Sequence, residues 1–507
     1  MTSRFYITTA IPYANGSPHI GHAYERIATD AIQRFMRLDG RDVLFVTGMD
    51  EYGQKVQQTA TKAGLTPQAF VDGVAAEFEA MGELLNARAD DIIRTTQPRQ
   101  TRAVTEMWKR MAANGDIYLS KYSGWYSVRD EAYFDEGELT ADPDGVKRAP
   151  TGAPVNWVEE ESYFFKLSAY ADKLLAHYEA NPDFITPEKY RNEIVAFVKR
   201  GLNDLSISRT TFAWGVPVPD DPKHVMYVWV DALTNYITAT GFPDDGERAH
   251  FWPADAHVIG KDITRFHCIY WPAVLLSAGL PLPKQIVVHG FLFNRGEKMS
   301  KSVGNVVSPA DLVTTYGLDP VRYFLLRETP WGQDGNYSHE LIVARMNADL
   351  ANDLGNLAQR SLSIVARNGA VVPAAAAPTP ADLEMLGLAD ALADIARDHM
   401  KSFQLHLYIG AVMDVIGAAN RYFANAEPWR LAKTDPARAN GVLYTTLETL
   451  RIAAILLQPV MPSAMAKLLD LLAVPAGARA FADLPGRLTP GAALPPPAAV
   501  FPRYAEG

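Results

Sequence analysis

One cysteine in 507 residues, Cys268, rules out an internal disulfide and any zinc site made of cysteine pairs. Beside His267, that thiol reads as a small buried hydrophobe. Also lacking is any apolar stretch near the ~20 residues that a membrane-spanning helix requires. The opening Met1-Thr2-Ser3-Arg4 has none of the layout of a signal peptide, so a cytoplasmic protein without membrane association is expected. Positive charge is in deficit, with 48 Lys and Arg against 58 Asp and Glu and a net charge of −10. That balance speaks against a nucleic-acid partner only when summed over the chain, because phosphate contacts need just a local basic face. Lys298, Lys301, Arg322, Arg327, Arg345, Arg360 and Arg367 are the candidates to supply one. No internal repeat is visible. With 48% hydrophobic residues there is ample core material, and a chain this long divides into three or four domains.

Two short segments carry most of the chemistry. His19-Ile20-Gly21-His22 follows the apolar run 5–11, and Lys298-Met299-Ser300-Lys301-Ser302 follows the apolar run 286–293. The first opens a helical pattern, where backbone N–H groups and the helix dipole favour an anion. His19 and His22 project from one turn and can donate hydrogen bonds to phosphate oxygens as charge builds at an α-phosphorus. Gly21 leaves room for a nucleotide to approach the backbone. Lys298 and Lys301 would neutralise a departing pyrophosphate from the opposite side, on a loop able to close. Such chemistry needs positioning and charge rather than a protein nucleophile. Taken singly, a pair of surface histidines and a solvated basic loop are ordinary; in this order, each behind a strand pattern, they are not.

The first third alternates strand and helix. Strand 5–11 leads through a turn-rich loop to a helix with Ala23, Ile27, Ala31, Phe35 and Leu38 on one face, closing at Gly40, and then to strand 42–48. A β-α-β start predicts an α/β fold, a doubly wound, parallel, Rossmann-like sheet with its ligand at the strand carboxyl ends, where His19 and Asp50 fall. The spacing divides the chain into a catalytic first half (1–113), a connective insertion (114–223) with strand-like pieces at 122–126 and 161–167, and a catalytic second half (224–290). The second half carries strand-like runs at 226–233, 257–260 and 286–293. A region holding the lysines (291–352), an all-α helical bundle (353–486) and an extended tail (487–507) complete it. Within the bundle, helices are expected at 351–366, 382–401, 405–423 and 440–457, with a Pro/Ala-rich linker at 371–380.

The paired His and Lys segments resemble the signatures of class I aminoacyl-tRNA synthetases. Three more narrow the resemblance to methionyl-tRNA synthetases: Ala10-Ile11-Pro12-Tyr13, the stretch from Tyr227 to Tyr236, and Gly260-Lys261-Asp262-Ile263-Thr264-Arg265-Phe266-His267. The resemblance spans essentially the whole chain. It implies that Ile11, Tyr13, Trp229, Ala232, Leu233, Tyr236, Ile263 and His267 line a methionine pocket and that Asp50 holds the substrate ammonium. An aromatic cage suits a polarisable thioether, although Trp229 in an apolar run reads by itself as core. Leu233 stands where the family often has proline. The helical part is similar to the family's anticodon-reading helices, which assigns Asn356, Arg360 and Trp429 to anticodon binding, with Trp429 offering a stacking face.

The departures matter too. Many relatives carry a zinc knuckle in the insertion, but here Ser127 and Asp130 occupy one Cys-x-x-Cys pair, so no structural zinc is expected. The insertion is also too short for a separate editing domain, which leaves discrimination to the synthetic pocket. The reading implied is ATP-dependent activation of L-methionine and its transfer to tRNA(Met), with Mg2+ accompanying ATP and no metal ligand assigned. The chain ends without an added oligonucleotide-binding domain, so a monomer is expected. A small-molecule adenylyltransferase and a catalytically silent tRNA-binding paralogue are the competing classes. The helical region after 350 weighs against the first, and the intact histidines and lysines against the second.

Overall fold

The computed structural model describes residues 3–505 except 131, 143–144, 299–306 and 375–376. Six strands form one all-parallel sheet: β1 (Arg4–Thr8), β2 (Asp42–Met49), β3 (Asp91–Arg94), β4 (Ile185–Thr186), β5 (Ala256–Gly260) and β6 (Ile286–His289), in the order β3-β2-β1-β5-β6-β4. The order turns outward from β1 in both directions, and that reversal opens a crevice at the carboxyl ends of β1 and β5. Helix α1 (Ile20–Leu38) makes the β1-to-β2 crossover. Its face of Ala23, Ile27, Ala31 and Phe35 is buried, as the spacing predicts. The edge strand β4 comes from within the 114–223 segment and pairs in parallel with Ile286 and Val287. The same segment also builds a four-stranded sheet around the long antiparallel pair Ile117–Ser127 and Asn156–Phe165.

One expected strand is a helix. The apolar run at 226–233 straddles the end of a short antiparallel strand, Asp221–Met226, and the start of α2 (Val228–Thr238). Ten of the eleven α2 residues are buried, so a helix enclosed on all sides shows no amphipathic period and reads as a buried strand. The helix expected at 382–401 is two, Pro380–Asp390 and Leu392–Met400, which meet at Ala391.

Helix α3 (Leu318–Glu328) joins the sheet to the helical bundle, whose main members are α4 (Asn356–Arg367), α5 (Leu405–Ala426), α6 (Pro428–Thr434) and α7 (Pro436–Leu457). Arg322 on α3 is no phosphate ligand. It is fully buried, paired with Asp30 of α1 at 2.7 Å, and it donates to the carbonyls of Leu85, Pro459 and Val460. Arg345 is likewise spent on Glu328 and Asp349. The tail packs back on the body: Val372 N–H bonds to the Ala492 carbonyl, and the Tyr504 ring meets Tyr316 and His339. Among the described residues no helix is long and apolar enough to cross a membrane.

Candidate active site

Two histidines cap α1. His19 occupies the N-cap position with extended backbone, and its Nδ1 accepts the Gly21 N–H at 3.1 Å. In return, His22 Nδ1 accepts the His19 backbone N–H at 3.3 Å. This reciprocal arrangement normally takes a Ser or Thr with a Glu. Its consequence is chemical. With both Nδ1 atoms accepting, each neutral imidazole carries its proton on Nε2 and can donate from there to a phosphate oxygen. The rings stack with centroids 3.8 Å apart, and Phe78 meets His22 edge-on at 5.0 Å. Gly21 has a reason the sequence did not disclose: a Cβ there would stand 2.9 Å from His19 Cε1, so the glycine lets the imidazole fold over the helix start without being displaced.

The cleft beside this turn is lined by the ends of β1 and β2 (Thr9, Ala10, Thr47, Gly48), by His22 and Glu25 of α1, and by Phe78. A Cβ on Gly48 would clash with Ile11 Cγ2 and the Ile93 carbonyl, so this glycine seats Ile11 against β2. Tyr13 and Asp50 form a parallel bridge beyond the strand ends, and Asp50 is buried there.

The remaining candidate residues converge from α2 and the turn after β5. Trp229 is half-buried and lies flat on Phe266, with centroids 3.7 Å apart and planes 9° from parallel. His267 Nδ1 lies 3.0 Å from the Ile263 carbonyl and Nε2 lies 2.7 Å from the Tyr236 hydroxyl. The carbonyl must receive N–H, so Tyr236 O–H donates to Nε2. Burial pushes the His267 pKa down to about 4, which keeps the ring neutral at pH 7. Tyr236 also stacks on His257, itself held neutral by burial. Ala232 and Leu233 are buried on the same helix. The result is an uncharged, largely aromatic cluster, with Asp50 close enough for its charge to help raise the Tyr236 pKa.

Far from this recess, Asn356 and Arg360 lie one turn apart and exposed on α4. The Arg360 guanidinium sits 5.2 Å from the Trp429 ring and 5.1 Å from that of Phe423. Trp429 is 37% exposed, which is more than a core tryptophan shows. Lys301 lies outside the described residues, as does the side chain of Lys298, whose backbone pairs with Phe293 in a hairpin. Sequence reasoning missed Gly48, Phe266, and the pair of Glu25 and His289. Only Glu25 left a signal there, one helical turn past His22.

Crevice, capped helix and appended bundle define a class I aminoacyl-tRNA synthetase. The family model for tRNA synthetases class I (M) matches residues 5–362, and that for the anticodon binding domain of methionyl tRNA ligase matches residues 372–506. The chain belongs to the methionyl-tRNA synthetase family. It is 61% identical to the methionine–tRNA ligase of Mesorhizobium japonicum and 62% identical to that of Brucella suis, covering 99% of this chain and 98% of each relative. Among solved structures, Mycobacterium tuberculosis methionyl-tRNA synthetase in complex with methionyl-adenylate superposes with a TM-score of 0.97 at 57% identity, covering 99% of this chain and all of that one.

Proposed function

We propose that the protein is a methionine–tRNA ligase acting in two steps. A carboxylate oxygen of L-methionine attacks the α-phosphorus of ATP, the bond to the bridging oxygen breaks, and pyrophosphate leaves with methionyl-adenylate remaining. The terminal ribose hydroxyl of tRNA(Met) then attacks the acyl carbon, and AMP departs. The observations that carry this reading are the double-histidine cap behind β1 and the neutral Tyr236–His267 pair, tied to the end of β1 through His257, which stacks on Tyr236 and bonds Thr8. His19 and His22 donate to the phosphate as charge grows in the transition state, and Lys298 and Lys301 stabilise the leaving pyrophosphate. Ile11, Tyr13, Trp229, Ala232, Leu233, Tyr236, Ile263 and His267 enclose the thioether, and Asp50 holds the ammonium. Asn356, Arg360 and Trp429 read the anticodon. The exposed, cation-capped face of Trp429 supports that role.

Magnesium enters with ATP as part of the substrate. Structural zinc does not fit the insertion. Where a knuckle would want thiolates, Ser127 Oγ bonds to Asp130 at 3.1 Å, Thr151 bonds to the same carboxylate, and the Arg129 guanidinium lies 3.2 Å from it. A cytoplasmic monomer completes the proposed reading. Methionine-dependent exchange of pyrophosphate into ATP, run beside tRNA aminoacylation, tests the assignment. An adenylyltransferase would show no methionine dependence, and a silent tRNA-binding paralogue would show no exchange.

A further inference from the structure

Glu25 and His289 carry no task in the two steps above, yet they connect the parts that do. Glu25 lies on α1 one turn beyond His22, and its two oxygens hold two strand ends. Oε1 accepts the Ala10 N–H at 3.0 Å just past β1, and Oε2 lies 2.9 Å from Nε2 of His289, the last residue of β6. His289 Nδ1 lies 2.8 Å from the Gly290 carbonyl. Both ring nitrogens therefore face oxygens, which requires a doubly protonated imidazole or a proton shared with Glu25. Tyr24 packs edge-on to this ring at 5.3 Å and Trp331 lies at 6.2 Å, so the side chain is held in place. The backbone beyond is equally fixed. A Cβ on Gly290 would meet the Gln333 carbonyl at 2.1 Å, and the Phe291 N–H bonds to Asp334. The hairpin of Leu292–Asn294 and Glu297–Lys298 starts at the next residue.

We propose that Glu25 and His289 form a positioning pair that fixes the distance between the His19–His22 turn and the base of the Lys298 hairpin. The inference rests on the phosphate-site reading above. Glu25 acts through Ala10 and the His22 turn, and His289 acts through Gly290. The spacing between the two sides of a reacting phosphate matters because a displacement of about 1 Å can cost about 100-fold in rate.

The test is a double-mutant cycle in methionine-dependent pyrophosphate exchange, with methionine affinity and a thermal melt measured on every variant. Glu25→Ala and His289→Ala should each lower kcat about 10- to 100-fold with methionine KM changed less than about threefold. The double variant should be no worse than the poorer single, since the residues work as a unit. Glu25→Gln is the decisive conservative variant, and it also covers the case in which an Ala variant fails to fold. Its amide oxygen keeps the Ala10 bond and its NH2 donates to a neutral His289 Nε2, so activity should stay within about threefold of wild type. Multiplying losses in the double variant, a defect confined to ATP KM, or a Gln variant as poor as Ala would each overturn the proposal. His22→Ala separates the two levels: if it too retains full exchange, the phosphate-site reading has failed rather than the pairing.

Discussion

Replacing Asp231 by Asn should reshape the pH dependence of stability while leaving methionine binding intact. Asp231 sits on α2 between Trp229 and Ala232, is 1% exposed, and accepts the Gln100 amide at 3.0 Å through Oδ1. Its Oδ2 is buried without a hydrogen-bond partner among the described residues. Burial, opposed by the Gln100 bond and reinforced by the charge of Glu51, pushes its pKa up to about 7. In the unfolded chain the same carboxyl titrates near ~3.9. Between those values the unfolded state loses the proton first, so stability is full below about pH 4, falls as pH rises to about 7, and is level above. A rise of that size corresponds to about 4 kcal/mol lost at pH 8, and about 1.5 kcal/mol of that is already gone at pH 5. Asparagine has no such slope. It keeps the Gln100 bond but places an unpaired NH2 at the Oδ2 position, at a cost of about 1–3 kcal/mol at every pH. The variant should therefore lie within about 1.5 kcal/mol of wild type at pH 5 and be about 1–3 kcal/mol more stable at pH 8, the difference moving by about 3 kcal/mol. Thermal melts of both proteins at pH 5, 6, 7 and 8 measure this. Two proteins whose melting temperatures run parallel across that range would refute a carboxyl that ionises near neutrality.

Other outcomes follow from the same geometry. Gly21→Ala should hold or raise the melting temperature, since Ala favours a helix by about 0.5–1 kcal/mol, while exchange activity falls because the new methyl displaces His19. Lys301→Ala should lower kcat for adenylate formation with little change in methionine affinity, because the contact proposed for it belongs to the transition state; unchanged exchange would remove the role. Asp50→Asn should weaken methionine activation by about 2–5 kcal/mol, the usual cost of removing one partner of a buried charge pair, as read from kcat/KM. Trp429→Ala should raise the tRNA KM by about 1–3 kcal/mol equivalent and spare pyrophosphate exchange, and a normal charging rate in the folded variant would exclude it from the anticodon site.

Local pattern was enough for much of the chain. Strand runs at β1, β2 and β6, the periodic face of α1, and the two motif segments behind strands each arise from residues close in sequence, and they already specified a parallel sheet and placed the proposed anion site at its carboxyl edge. The proposed pocket residues came only through a resemblance, since Trp229 and His267 by themselves look like core. Helix α2 was misread because burial on every side erases the period that distinguishes helix from strand. What the sequence could not contain was the choice of partner. Arg322 reads as a surface cation, yet it is consumed by Asp30, 292 residues away, and by carbonyls of four other residues. Glu25 and His289 are 264 apart, and Gln100 and Asp231 are 131 apart. The His19–His22 cap is local, but Gly21's part in it depends on where an imidazole folds. Amino-acid identity decided which groups could bond, and packing of the sheet against the helices decided which of them met.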